Sequence, residues 1–132
     1  MERTLEYLRE CGVFFVAASD GTRPCVQPLA CAGWFDGGVY VMVHRGTALY
    51  RSLKRNASAE IAAVHPDKSW IAITGRLAED CRPETAAALA ESGKDTLSAV
   101  YAGGGDDAPF RIEGGHAVLH EIIGRTQEWD LP

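Results

Sequence analysis

The chain has 132 residues, 46% of them hydrophobic, with 14 glycines and 6 prolines spread along it: enough for one domain around one sizeable core, and too few for a second. Its net charge of −5, with no long apolar run and no basic stripe outside residues 45–55, excludes a membrane-spanning helix and argues against nucleic acid or an anionic membrane surface as partner. Cys11, Cys25, Cys31 and Cys81 form no C-x-x-C pair, and the first residues are charged (Glu2, Arg3, Glu6, Arg9, Glu10) rather than signal-like, so a cytoplasmic protein with reduced thiols is expected.

In chain order, Leu5, Leu8 and the Tyr7/Cys11 pair predict a short amphipathic helix that stops at Gly12, and residues 13–18 a first strand. Asp20-Gly21 is a turn signal; residues 23–35 read as one long strand interrupted by Pro24, Pro28 and Gly33, and Asp36-Gly37-Gly38 turns the chain into a strand over 39–43. Neither proline can donate a ladder hydrogen bond, so the second strand belongs at an edge or a barrel corner, where a flat ligand has access to it.

A polar break, His44-Arg45-Gly46-Thr47, then leads into a short basic helix. The first N–H groups of a helix have no intrahelical partner and carry the positive end of its dipole, so Arg45, the Gly46 N–H and Thr47 at this point are the parts of a phosphate site. Thr47 is equally an ordinary N-cap. Strands follow over 59–64 and 70–77, separated by the loop His65-Pro66-Asp67-Lys68. Pro83 opens a helical insert expected to run to Tyr101, ahead of a glycine-rich loop at 103–107 that lacks the Gly-Lys-Ser/Thr ending of a phosphate-binding P-loop. A last strand covers 115–123. The expected fold is mainly β (α+β): a six-stranded antiparallel split β-barrel with short flanking helices.

The order FFVAASDGTRP-x-V-x-P, WFDGGVYV, Tyr50-x-x-Leu53-Lys54-x-Asn56 and Trp70-Ile71-x-Ile73-Thr74-Gly75 resembles the pyridoxamine 5′-phosphate oxidase-like FMN-binding split-barrel family over nearly the whole chain. The resemblance implies a homodimer with two FMN sites at the subunit interface, the ring against Val26, Gln27, Pro28 and Leu29, and the phosphate at His44, Arg45, Gly46 and Thr47. Tyr50, Arg51 and Trp70 complete the implied cofactor set, Tyr50 and Trp70 having packing as their other reading. It also implies an oxidoreductase acting on an unidentified small molecule, with no catalytic side chain identifiable.

The chain departs from the family pattern at Gln27, Ala48 and Ala72, where many flavin-binding members carry a basic residue. A charge-assisted hydrogen bond is worth about 1.5–3 kcal/mol, so each loss weakens phosphate binding by roughly tenfold to a hundredfold unless Arg45 and Arg51, or Arg23 or Arg76 from another strand, compensate. The alternative is therefore a non-catalytic ligand-binding or sensor domain with a weakened FMN site, or a haem-binding relative using one of the histidines. His116 and His120 stand four apart, a metal-pair spacing on a helix, but the segment reads as strand and no metal is expected.

Overall fold

Period-two alternation decides which face each strand buries. In the computed structural model, which describes residues 2–91 and 106–132, β1 (Phe14–Ser19) sends Phe14, Val16 and Ala18 into the core and leaves Phe15 and Ala17 outside. The strands β2 (Pro24–Leu29), β3 (Ala32–Phe35), β4 (Gly38–His44), β5 (Ser58–Val64), β6 (Trp70–Glu79) and β7 (Asp107–His120) complete one antiparallel ladder, in the order β2-β1-β5-β6-β7-β4-β3. β8 (Thr126–Asp130) pairs with β7 off this path.

The ends of that ladder, β2 and β3, are consecutive in sequence and joined only by Ala30 and Cys31. Such a link spans about 11 Å, so the sheet has to curl until its two edges meet. The Met42 N–H donates to the Cys31 carbonyl at 3.2 Å, which extends the β3–β4 pairing into this link. The result is a split barrel whose interior is filled by Val16, Val41, Val43, Ile61, Ile71, Ile73, Phe110 and Ile112, all at most 1% exposed. Pro24 and Pro28 lie on the edge strand β2, where their missing N–H groups cost no ladder bond.

Helix α1 (Arg3–Cys11) is capped by the Glu2 carboxylate, which accepts from the Leu5 N–H, and ends at Gly12 with φ 82°; it seals one mouth of the barrel with Leu5 and Leu8. Helix α2 (Ala48–Arg55) buries Leu49, Ser52 and Leu53 and packs on β1, β2, β4 and β6. Helix α3 (Pro83–Ala90) begins on Pro83 as expected. The continuation of that insert to Tyr101 and the glycines at 103–105 lie outside the described residues.

The sheet has eight strands where the sequence suggests six: the expected second strand is divided in two, and β8 follows the expected last strand. The long second strand is two, β2 and β3, because the chain leaves one sheet edge at Leu29 and joins the other at Ala32. The last strand begins at Asp107 rather than Gly115. Ala108, Phe110 and Ile112 point inward, but a bulge opposite Thr74 and Arg76 inserts one residue, and from Gly115 the inward positions are odd-numbered. That shift breaks the alternation on which the sequence reading depends. The strand also ends at His120, so Ile122 and Ile123 sit in a turn, 67% and 76% exposed, before β8. The Asp36-Gly37 turn holds as expected: both residues have positive φ (49° and 77°) and close a two-residue hairpin between β3 and β4.

Candidate functional site

Helix α2 starts where β4 ends, at the rim of the barrel. Thr47 has extended φ and ψ, its hydroxyl donates to the His44 carbonyl at 2.7 Å and accepts from the Tyr50 N–H at 3.2 Å, so it is the N-cap. The His44 ring folds over Gly46: a Cβ there would come within 3.2 Å of His44 Nε2. His44 Nδ1 lies 2.9 Å from the Asp106 carbonyl. His44, Arg45, Gly46 and Thr47 thus form a turn that wraps the first turn of α2.

Arg45 is not open to solvent chemistry on its own. Its guanidinium donates to Asp106 Oδ1 at 3.0 Å and stands 3.4 Å from Glu79 Oε2. Glu79, the last residue of β6, has a side chain only 5% exposed and also accepts from the Tyr50 hydroxyl at 2.7 Å and Lys54 Nζ at 2.9 Å. Burial pushes the Glu79 carboxyl up, but the Lys54 and Tyr50 hydrogen bonds and the charges of Lys54 and Arg45 together bring it below its ordinary value. In turn the Tyr50 hydroxyl and the Lys54 ammonium are both raised, each chiefly by its hydrogen bond to Glu79. Tyr50 also packs edge-on against Phe110, ring centroids 5.8 Å apart. Tyr50 is therefore held by packing and by a carboxylate.

The opposite flank of α2 is different. Ala48, Arg51 and Arg55 share it, and with Asp20, Arg23 and Cys25 they line a groove of about 450 Å³ between the helix and the start of β2. Arg55 reaches Asp20 at 3.8 Å; among the described residues, Arg23 and Arg51 have no carboxylate within ion-pair distance. Three guanidinium groups against one carboxylate, beside the N–H groups of a helix start, make this the most anion-receptive surface of the region. Arg23 and Arg55 are the contributors that the motif reading left in the background: Arg55 is four residues from Arg51, the helical spacing that places both on one face. Arg76 does not join them. It pairs across β6 with Ser58 and Glu113, beside a separate shallow groove.

Of the β2 set, Val26 is 66% exposed on the outer face opposite Ala17, Pro28 stands beside Phe15, and Gln27 is half-buried opposite Val16. Leu29 is 2% exposed and its side chain is spent on the core. Ala72 lies mid-sheet between Ala62 and Val118. Trp70 stands at the other end of β6 from Glu79, nine residues or roughly 30 Å away along the strand, where its ring stacks on His120 at 3.8 Å and 6°. A single copy of the chain does not bring Trp70 to α2. His116 and His120 face outward four residues apart on a strand, a separation of about 13 Å, and His116 holds Asp130 and Glu128, each at 2.8 Å. Among the described residues, no group of three or more His, Cys, Asp or Glu is placed to hold a metal.

No family model matches the chain, and no curated protein matches it in sequence. Solved structures do. A NimC/NimA family protein from Clostridium acetobutylicum superposes with a TM-score of 0.87 at 27% identity, over 99% of this chain and 92% of that one. A haem-binding protein from Mycobacterium smegmatis gives 0.71 at 16% identity, over 98% of this chain and 59% of its own. Another C. acetobutylicum protein, related to general stress protein 26 of B. subtilis and described as of the pyridoxinephosphate oxidase family, gives 0.69 at 11% identity, over 96% and 91%.

Proposed function

On the split-barrel scaffold that this chain shares with pyridoxamine 5′-phosphate oxidase-like proteins, we propose that it binds FMN and acts as a flavin-dependent oxidoreductase on a small molecule. The observation that carries this reading is the groove on α2, where Arg23 and Arg51, among the described residues, have no carboxylate within ion-pair distance, beside a capped helix start. Its donor set fits a phosphate monoester: guanidinium groups give paired, charge-assisted hydrogen bonds to phosphate oxygens, and the Ala48 end of the helix supplies N–H groups. The edge strand β2 continues from the groove and offers the exposed Val26 and the half-buried Pro28 as an apolar surface for a flat ring. Arg23, Arg51 and Arg55 would hold the phosphate in place of the basic residues missing at Gln27, Ala48 and Ala72. When bound, FMN supplies the hydride and single-electron chemistry; the chain anchors it and shields one ring face.

The same reading includes a homodimer in the cytoplasm. Phe15 (49% exposed), Val26 (66%), Val64 (66%) and Trp70 (42%) lie on the outer face of β1, β2, β5 and β6 with Ala17 and Ala62 between them. An apolar sheet face of this kind suits a second copy, which would also cover a ring lying on β2. No described helix is long and apolar enough to cross a membrane.

The deciding experiment is an absorption spectrum of freshly purified protein, with mass identification of anything released on denaturation. Flavin bands with FMN released in stoichiometric amount support the proposal. A colourless protein that ignores added FMN sinks it, and a Soret band transfers the site to haem.

A further inference from the structure

Helix α2 carries cations on two flanks, and they are treated differently. Arg51 and Arg55 border an open groove, whereas Lys54, with Arg45 from the preceding turn, converges on Glu79. We propose that Glu79 is a resident counter-anion, holding Arg45 and Lys54 away from an incoming phosphate and so setting both where an anion binds on α2 and how tightly. The inference rests on the flavin reading and deepens it.

Three observations support the assignment. Glu79 is nearly buried, while Arg45 and Lys54 have 39% and 48% of their side chains exposed, so the cations reach inward to the carboxylate rather than the reverse. All the partners named for its two oxygens are donors, Tyr50, Lys54 and Arg45, and a carboxylate with three donors at 2.7–3.4 Å keeps its charge. Around the His44–Thr47 turn, the two cations Arg45 and Lys54 meet two carboxylates, Glu79 and Asp106, and the Asp107 carboxylate stands 3.9 Å from His44 Nδ1. A phosphate approaching that side would meet cations already matched by carboxylates, whereas the Arg23–Arg51 side presents an excess of positive charge. The motif region most suggestive in sequence is thereby closed to anions by a residue 25 to 34 positions further along the chain.

The test compares FMN with riboflavin, which carries the same ring and no phosphate, by fluorescence titration of the full chain and of two variants checked for folding by circular dichroism. Glu79→Gln keeps an oxygen acceptor of the same size and removes the charge. It should tighten FMN binding by about tenfold, the worth of one added charge-assisted hydrogen bond, and leave riboflavin unchanged. Adding Arg45→Gln to Glu79→Gln should abolish the gain. A Glu79→Gln protein that binds FMN no better than the parent overturns the counter-anion role and leaves the flavin reading standing. Failure of the parent and both variants to bind either flavin overturns the flavin reading itself. Lys54→Met, which leaves Glu79 in place, decides the matter without relying on the first variant to fold: FMN affinity should hold within about twofold, and a tenfold loss would mean that Lys54 already serves the phosphate.

Discussion

Arg51 is the side chain on which the proposed site most depends, because it is a cation at the start of α2 with, among the described residues, no carboxylate within ion-pair distance. Arg51→Gln is expected to weaken FMN binding by about tenfold or more, and Ala48→Lys, which adds a charge to the same groove, to strengthen it by a similar factor; titration with riboflavin as control separates the phosphate contribution from the ring. A second residue makes stability depend on pH. His116 meets a carboxylate at each ring nitrogen, and only the imidazolium can donate to both. Its pKa is raised, first by Asp130 and then by Glu128. A group whose pKa is higher in the folded state stabilises the fold fully below the unfolded value, about 6.5 for histidine, and ceases to do so as the pH climbs through the folded one. The difference in urea midpoint between the parent and His116→Gln should therefore be largest near pH 6 and vanish towards pH 9; a difference that grows with pH would contradict the arrangement.

Among the elements, α2 is the one whose local sequence does most for function. Removing its cap with Thr47→Ala should cost about 1 kcal/mol of stability and loosen the turn that presents the Ala48 N–H to the groove, while Thr47→Ser should restore both; chemical denaturation and FMN titration read the two effects. The cap, the Asp36-Gly37 hairpin and the α1 stop at Gly12 were legible because each is a short-range pattern of residues with special backbone preferences. The β7 bulge was not, since a single inserted residue reverses the alternation without leaving a compositional mark. β8 was missed for a related reason: Thr126, Gln127, Glu128 and Asp130 are exposed, and only Trp129 is half-buried, its indole N–H donating to the buried Thr4 hydroxyl on α1. The site was legible in part. The motif pointed to α2, the helix of the proposed site, but which of its two flanks keeps cations without a carboxylate depends on Glu79, Asp106 and Asp20, which come from elsewhere in the chain and carry no local signal.

At the scale of the molecule, the exposed apolar face of β1, β2, β5 and β6 is the feature that a single copy leaves unexplained. Val26→Glu places a charge on that face, at its edge strand β2, and should convert the proposed dimer into a folded monomer, seen as halved mass in sedimentation with an unchanged circular dichroism spectrum; persistence of a dimer would move the interface elsewhere. The way the ladder closes has a different kind of consequence. The hairpin of β3 and β4 joins the rest of the sheet through β7, which lies between β4 and β6, while the link through Ala30 and Cys31 ties β3 to the far edge. Closure of the barrel must therefore wait for a strand that begins at Asp107. On the ribosome, where domains fold as they emerge, the first hundred residues leave the tunnel with both β4 and β6 still presenting open edges, and the segment from Asp107 onward, emerging after them, locks the rest.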